Sequence, residues 1–253
     1  MAKDKVAKNN LSGAKNILQK GLFFVNGFVE KIITKIDALD PAENTRQRVI
    51  SALILVPVAI DAICFSQNLF FLIVIAITIL MTAEWIELIK KAEDQKKWRL
   101  IGLFYILIPM FCVLKLRLHD TNILLWMFAV IWATDIFAFF SGKVFGGVKL
   151  APSISPNKTW AGLAGGVIAS MLIGFLSAFM FRGGIVFFVF FSIVLAVIEQ
   201  LSDLLESKFK RIFGAKDSGN IIPGHGGILD RLDGMMLVAP VVLFLVTVFA
   251  DKF

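Results

Sequence analysis

Apolar runs, each close to the thickness of a bilayer's hydrocarbon, leave this chain few architectures to fold into. They cover roughly 48–65, 68–89, 99–116, 121–142, 160–181, 184–205 and 235–251. A helix needs ~20 apolar residues to cross ~30 Å of hydrocarbon. Backbone in lipid must satisfy its own hydrogen bonds, so the runs are expected to be helices. The expected fold is all-α: a polytopic integral membrane protein with about seven transmembrane helices. With 58% hydrophobic and only 18% charged residues, a soluble domain is excluded. Cys64 and Cys112 sit within apolar runs, which argues against a disulfide framework or a zinc site.

The charges cluster in the breaks between runs. Lys90, Lys91, Lys96, Lys97 and Arg99 fill the second connection, Lys143, Lys149 and Lys158 the fourth, and Lys208, Lys210, Arg211, Lys216 and Arg231 the sixth. The odd connections hold little beyond Arg117 and Arg182. Basic residues mark cytoplasmic loops, so this alternation predicts the N-terminus and every even connection inside and Phe253 outside. The formal charge of +7 then reads as topology and contact with anionic headgroups, with no nucleic-acid partner.

Three regions follow. Residues 1–45 are a polar segment containing an interfacial amphipathic helix, with Leu18, Leu22, Val25, Val29, Ile32 and Ile36 at helical spacing. Residues 46–120 hold the first transmembrane helices. Residues 121–253 form a catalytic transmembrane region with cytoplasmic loops at 143–159 and 206–234.

The segment from Ser202 to Gly234 carries the chemistry. Asp203, Glu206, Asp217, Asp230 and Asp233 offer hard oxygen donors beside Lys208, Lys210, Arg211, Lys216 and Arg231, which offer phosphate partners. Carboxylates for a divalent cation beside cations for phosphate suggest a nucleotide–metal site at a membrane surface. Glu199, Asp203 and Glu206 share one helical face, serving either a cavity or a salt-bridge belt with Lys208, Lys210 or Arg211. Asp230 and Asp233 share a face as the last helix begins. The preceding turn, with His225, Gly226 and Gly227, would present backbone N–H groups to phosphate oxygens. In the other polar segment, Ser155-Pro156-Asn157 reads as a turn and helix cap, with Lys158 and Thr159 opening the next helix. Asp135 is an intramembrane carboxylate that should be paired or functional. Glu84 reads as an interfacial residue.

These residues resemble the CDP-diacylglycerol synthase, or phosphatidate cytidylyltransferase, family. Its signature runs S-x-x-K-R, then K-D, then P-x-H-G-G-x-x-D-R-x-D. Here the matching residues are Ser207, Lys210 and Arg211, then Lys216 and Asp217, then Pro223, His225, Gly226, Gly227, Asp230, Arg231 and Asp233. Upstream, Trp132, Asp135, Ala138, Gly142, Lys143, the run Lys149 to Pro152 and the run Ser155 to Thr159 are similar to the family's other polar loop. Phe139 and Ala161 depart from it, standing where the family often has a tyrosine and a glutamate or glutamine.

The resemblance implies the reaction CTP plus phosphatidic acid to CDP-diacylglycerol plus pyrophosphate, in phospholipid biosynthesis. It implies a Mg2+ site on Asp203 and Asp230, with a second cation such as K+ allowed. Asp203, Asp230, Asp233, Lys216, Asp217 and Arg231 become the candidate catalytic residues. Ser155, Lys158, Thr159, Ser207, Lys210, Arg211, His225, Gly226 and Gly227 become the candidate substrate-binding ones. The partners are CTP, phosphatidic acid and membrane lipid, with a homodimer compatible. The expected location is the bacterial inner membrane, with the site facing the cytoplasm. Two rival readings share some features: a CTP-dependent polyprenol or lipid kinase, with His225 or Asp217 as base, and an ion-coupled transporter using Asp135, Glu199 and Asp203.

Overall fold

The breaks between the apolar runs carry the side chains that start the helices. Ser66 accepts from the amide of Leu69 and opens α1, Gln67–Leu88. Asp94 accepts from Lys97 and opens α2, Gln95–His119. Asp120 accepts from Asn122 and opens α3, Thr121–Phe145. Thr159 accepts from Gly162 and opens α4, Trp160–Ser177. Each satisfies one of the amides that a helix leaves unpaired at its N-terminus. The two remaining helices, α5 at Gly184–Ile212 and α6 at Leu229–Val248, have no such cap from the residue before them.

The computed structural model describes residues 62–219 and 226–253. The interfacial helix expected in residues 1–45, most of the first expected span and the turn residue His225 lie outside the described residues. Among the described residues six helices are long and apolar enough to cross a membrane. The protein is an all-α polytopic membrane protein, and its surface carries the apolar side chains that lipid requires. Phe139, Phe140, Phe104 and Phe111 are all more exposed than covered, an arrangement that water would penalise.

Two boundaries differ from expectation in ways that matter. The fifth helix runs seven residues past the expected end at 205, because the charged stretch Glu206 to Arg211 continues the helix as an amphipathic end. One rigid element therefore carries Glu199, Asp203, Glu206, Ser207, Lys210 and Arg211. The last helix begins at Leu229, ahead of the expected start at 235, so Asp230 and Asp233 belong to its first turns.

A β-hairpin replaces the turn and cap expected at Ser155 to Asn157. Strand β1, Lys149–Ala151, pairs antiparallel with β2, Ser155–Thr159, with Lys149 opposite Thr159 and Ala151 opposite Ser155. The pairing is irregular between these two rungs. A short two-stranded element tolerates Pro156 because an edge strand need not donate at every position. The cap moves to Thr159, where the strand ends.

In the packing order α6 lies between α2 and α5, α4 lies against both α5 and α3, and α1 lies against α2. The α3–α4 seam is close because α4 presents glycines. A Cβ on Gly162 would come within 2.8 Å of the Ala138 carbonyl oxygen, and one on Gly166 within 3.0 Å of the Thr134 carbonyl oxygen. Small residues let membrane helices approach to backbone contact. Thr134 and Ser170 hydroxyls then meet across the seam at 2.7 Å. At one end of the bundle, Trp126 donates to Ser192 at 3.0 Å and packs against Phe188 and Phe253. The other end collects the second, fourth and sixth connections, where the charges lie.

Candidate active site

Lysines from two different elements hold the acidic ends of α5 and α6. Lys158 of β2 donates from Nζ to Asp203 at 2.5 Å and to the Gln200 side-chain oxygen at 2.9 Å. Gln200 in turn donates to Glu199 at 2.9 Å, and Ser207 donates to Asp203 at 3.3 Å. Lys210 of α5 donates to Asp230 of α6 at 2.6 Å and stands 3.4 Å from Glu206. The acidic face of α5 is therefore partly the salt-bridge belt that spacing allowed, and partly the wall of a cavity.

That cavity, about 470 Å³, lies among α3, the hairpin, α4 and α5. Asp135, Lys143, Lys149, Lys158 and Asp203 line it, with Phe139 and Leu163 as apolar wall. Asp135 and Glu199 face one another there across α3 and α5. A side-chain hydrogen bond with Glu199 pairs this intramembrane carboxyl group.

Carboxyl groups outnumber cationic groups around the charged ends of α5 and α6. Asp135, Glu199, Asp203, Glu206, Asp230 and Asp233 gather against Lys158 and Lys210, with Arg231 one step from Asp230 on an exposed face. Glu206 is fully buried, yet neither carboxylate oxygen has a hydrogen-bond partner among the described residues, and one oxygen of Glu199 lacks one too. Lys210, 3.4 Å from Glu206, offsets part of the cost of burying that carboxyl group.

No three carboxylate, imidazole or thiol groups among the described residues converge as a finished metal cage. Mg2+ does not need one. It commonly takes one or two protein carboxylates and fills its remaining positions with water and substrate phosphate. The surplus of hard oxygen donors beside lysines fits that ion.

At the described end of the glycine-rich turn, carboxylates of the chain take the backbone amides. The amide of Gly227 donates to Asp230 at 2.9 Å, and so does the amide of Ser218. The amides of Ile228 and Leu229 donate to Glu84 at 2.8 and 2.9 Å. Carboxylates of this chain thus take the amides that seemed poised for phosphate. Glu84 is no interfacial residue: it is 4% exposed and belongs to the site's frame. Sequence offered little sign of this, because its partners lie more than 130 positions away. Ser202 was missed as well, its partners lying 31 and 35 positions away on another helix. Its hydroxyl donates to the Asp233 carbonyl and accepts from the Leu237 amide at 3.2 Å, joining α5 to α6.

Several expected residues stand apart from the paired cluster. Lys216 and Asp217 are exposed and make no hydrogen bond or ion pair among the described residues. Arg211 is turned to the hairpin, donating to the Ile154 carbonyl at 3.2 Å and to that of Ala215 at 3.3 Å. Thr159 is buried as a helix cap, and Ser155 sits in the strand pairing.

A model of the cytidylyltransferase family matches residues 46–119 and 97–249. A Rickettsia felis protein named phosphatidate cytidylyltransferase is 41% identical over 214 residues, covering 80% of this chain and 92% of its own length. One of the same name from Rickettsia bellii is 40% identical over 213 residues, covering 80% and 90%. A Brucella abortus protein, also so named, is 39% identical over 178 residues, covering 68% and 63%. The residues of the paired cluster, 158 to 230, all fall inside the family match, and the chain belongs to the cytidylyltransferase family.

Proposed function

We propose that this chain is a phosphatidate cytidylyltransferase, converting CTP and phosphatidic acid to CDP-diacylglycerol and pyrophosphate. One observation carries the reading beyond family membership: Asp203 and Asp230, on neighbouring helices, are each held by a lysine at the charged end of the bundle. A lysine that partners a carboxylate can release it for a phosphate, and the freed carboxylate can then hold a cation.

The chemistry must bring two anions together. A phosphatidate oxygen attacks the α-phosphorus of CTP, a new P–O bond forms in line, and the bond to the β-phosphate breaks. No general base is needed, because a phosphate monoester is largely ionised near neutral pH. Catalysis is then positioning and electrostatics. Asp203 and Asp230 are the residues that would hold Mg2+, which supplies charge neutralisation on the attacking and leaving phosphates. Lys158 and Lys210 move from carboxylate to phosphate as the substrates enter. Lys216 and Arg231 approach the leaving pyrophosphate from the exposed loop and from α6, as charge-assisted donors. Asp217 lies beside Lys216 in the same exposed loop, and Asp233 neighbours the Glu206–Lys210–Asp230 group. Ser207 keeps Asp203 in place, Arg211 fixes the hairpin, Ser155 and Thr159 shape it, and Gly226 and Gly227 let the backbone pack closely on Asp230.

The basic even connections support a cytoplasmic site in a bacterial inner membrane. The lipid tails stay in the bilayer while the headgroup meets CTP at the charged end. The kinase and transporter readings draw no support from the relatives.

The test uses the purified full chain in mixed micelles of detergent and phosphatidic acid with Mg2+. Label from α-labelled CTP should enter lipid with equimolar pyrophosphate release. Labelled lipid from γ-labelled CTP would instead identify a kinase and overturn the proposal.

A further inference from the structure

Glu84 reaches from α1 into the start of α6, far from it in sequence, and meets a helix that has no cap of its own. The residue before α6, Ile228, is helical in conformation and offers no capping side chain. Glu84 supplies what is missing. One carboxylate oxygen accepts from the Ile228 amide at 2.8 Å, the other from the Leu229 amide at 2.9 Å and from the Ser218 hydroxyl at 3.3 Å. A negative charge there also complements the helix dipole.

The loop is shaped around this carboxylate. A Cβ on Gly219 would lie 2.9 Å from a Glu84 oxygen, and one on Gly227 would lie 2.8 Å from the other. Two glycines of the polar segment are thus required by a residue of another helix. Ser218 joins Glu84 to the reacting end, since its hydroxyl donates to Glu84 while its amide donates to Asp230. Gly227 donates its amide to Asp230 as well. The backbone that Glu84 anchors is therefore the backbone that aims Asp230.

We infer that Glu84 is a positioning residue for the cytidylyl transfer: it fixes the first turn of α6 so that the Asp230 carboxylate is held toward Lys210 of α5. This rests on the assignment of Asp230 to the reacting centre. Glutamine in its place keeps one acceptor but turns an amide NH2 toward donors that already point inward, so the cap is weakened with little change in volume.

The experiment compares wild type, Glu84→Gln, Asp230→Asn and the double variant, each as full chain in detergent, by turnover and by backbone amide exchange. Glu84→Gln should lower kcat by about tenfold or more while leaving KM for both substrates nearly unchanged. The amides of residues 227–229 should exchange faster. The double variant should be no slower than Asp230→Asn alone, because the two act as one unit. Wild-type turnover in folded Glu84→Gln, or losses that multiply in the double variant, would overturn the inference. If Glu84→Gln does not fold, Ser218→Ala removes only the hydroxyl link. It should show the same pattern at a smaller size, and wild-type turnover there would reduce Glu84 to a purely structural part. Wild-type turnover in Asp230→Asn would sink the site assignment instead, and faster exchange at 227–229 in Glu84→Gln would still report the cap.

Discussion

Lys158 and Asp203 form an ion pair at 2.5 Å between a surface hairpin and a membrane helix. Lys158 is also the donor to Gln200, so one ammonium joins the hairpin to two positions of α5. Removing it leaves a half-buried carboxylate and an amide oxygen without their partner. Lys158→Ala should lower kcat/KM by about a hundredfold or more, on the scale of a lost charge-assisted contact near the reaction. Steady-state kinetics with both substrates varied will check this; a loss below threefold would remove Lys158 from the site.

Asn matches Asp in shape but carries no charge. Asp203→Asn and Asp230→Asn should each lower kcat by about a hundredfold or more, with effects that do not multiply in the double variant. Asp120→Asn is the control. Asp120 caps α3 by accepting from Asn122 at 2.8 Å, and Asn caps a helix as well as Asp does. Its turnover should match wild type, measured as pyrophosphate release across a Mg2+ titration.

The α3–α4 seam should not accept a side chain. Gly166→Leu would press against the Thr134 carbonyl oxygen and its methyl, each 3.0 Å from the first added carbon. Overpacking of this kind costs about 1–3 kcal/mol. The midpoint of thermal unfolding in detergent should fall, and KM for CTP in the surviving folded fraction should not.

Orientation can be read with single cysteines placed at 95 and 215 in a background lacking Cys64 and Cys112. Both sites belong to the end where the basic connections gather. An impermeant thiol reagent applied to intact cells should leave both unlabelled and label them after permeabilisation. Labelling from outside would reverse the proposed topology.

What could be seen in the sequence divides along physical lines. The helices were legible because hydrocarbon imposes length and apolarity on every residue of a span, and because Ser66, Asp94 and Asp120 mark their starts. The cluster of Asp203, Lys210 and Asp230 was legible because its members fall on helical faces within one short segment. The hairpin was not, since Gly146, Gly147 and Pro152 signal irregular backbone without specifying its pairing partner. Glu84 was not, since a carboxylate near the end of an apolar run looks the same whether it meets water or caps another helix. The backbone amides at the start of α6 were read as open to phosphate because only the three-dimensional arrangement brings Glu84 to them.

Helix α5 is 29 residues long, which at ~1.5 Å per residue is about 44 Å, against ~30 Å of hydrocarbon. An upright helix of that length would leave some three turns clear of the acyl region, and the charged C-terminal stretch from Asp203 to Arg211 is the end suited to it. In an upright α5 the carboxylates near this end would stand at the depth at which glycerophospholipids carry their phosphates. On the proposed assignment a lipid substrate would then react at its own level in the leaflet without being drawn out of it, the length of one helix setting the height of the reaction.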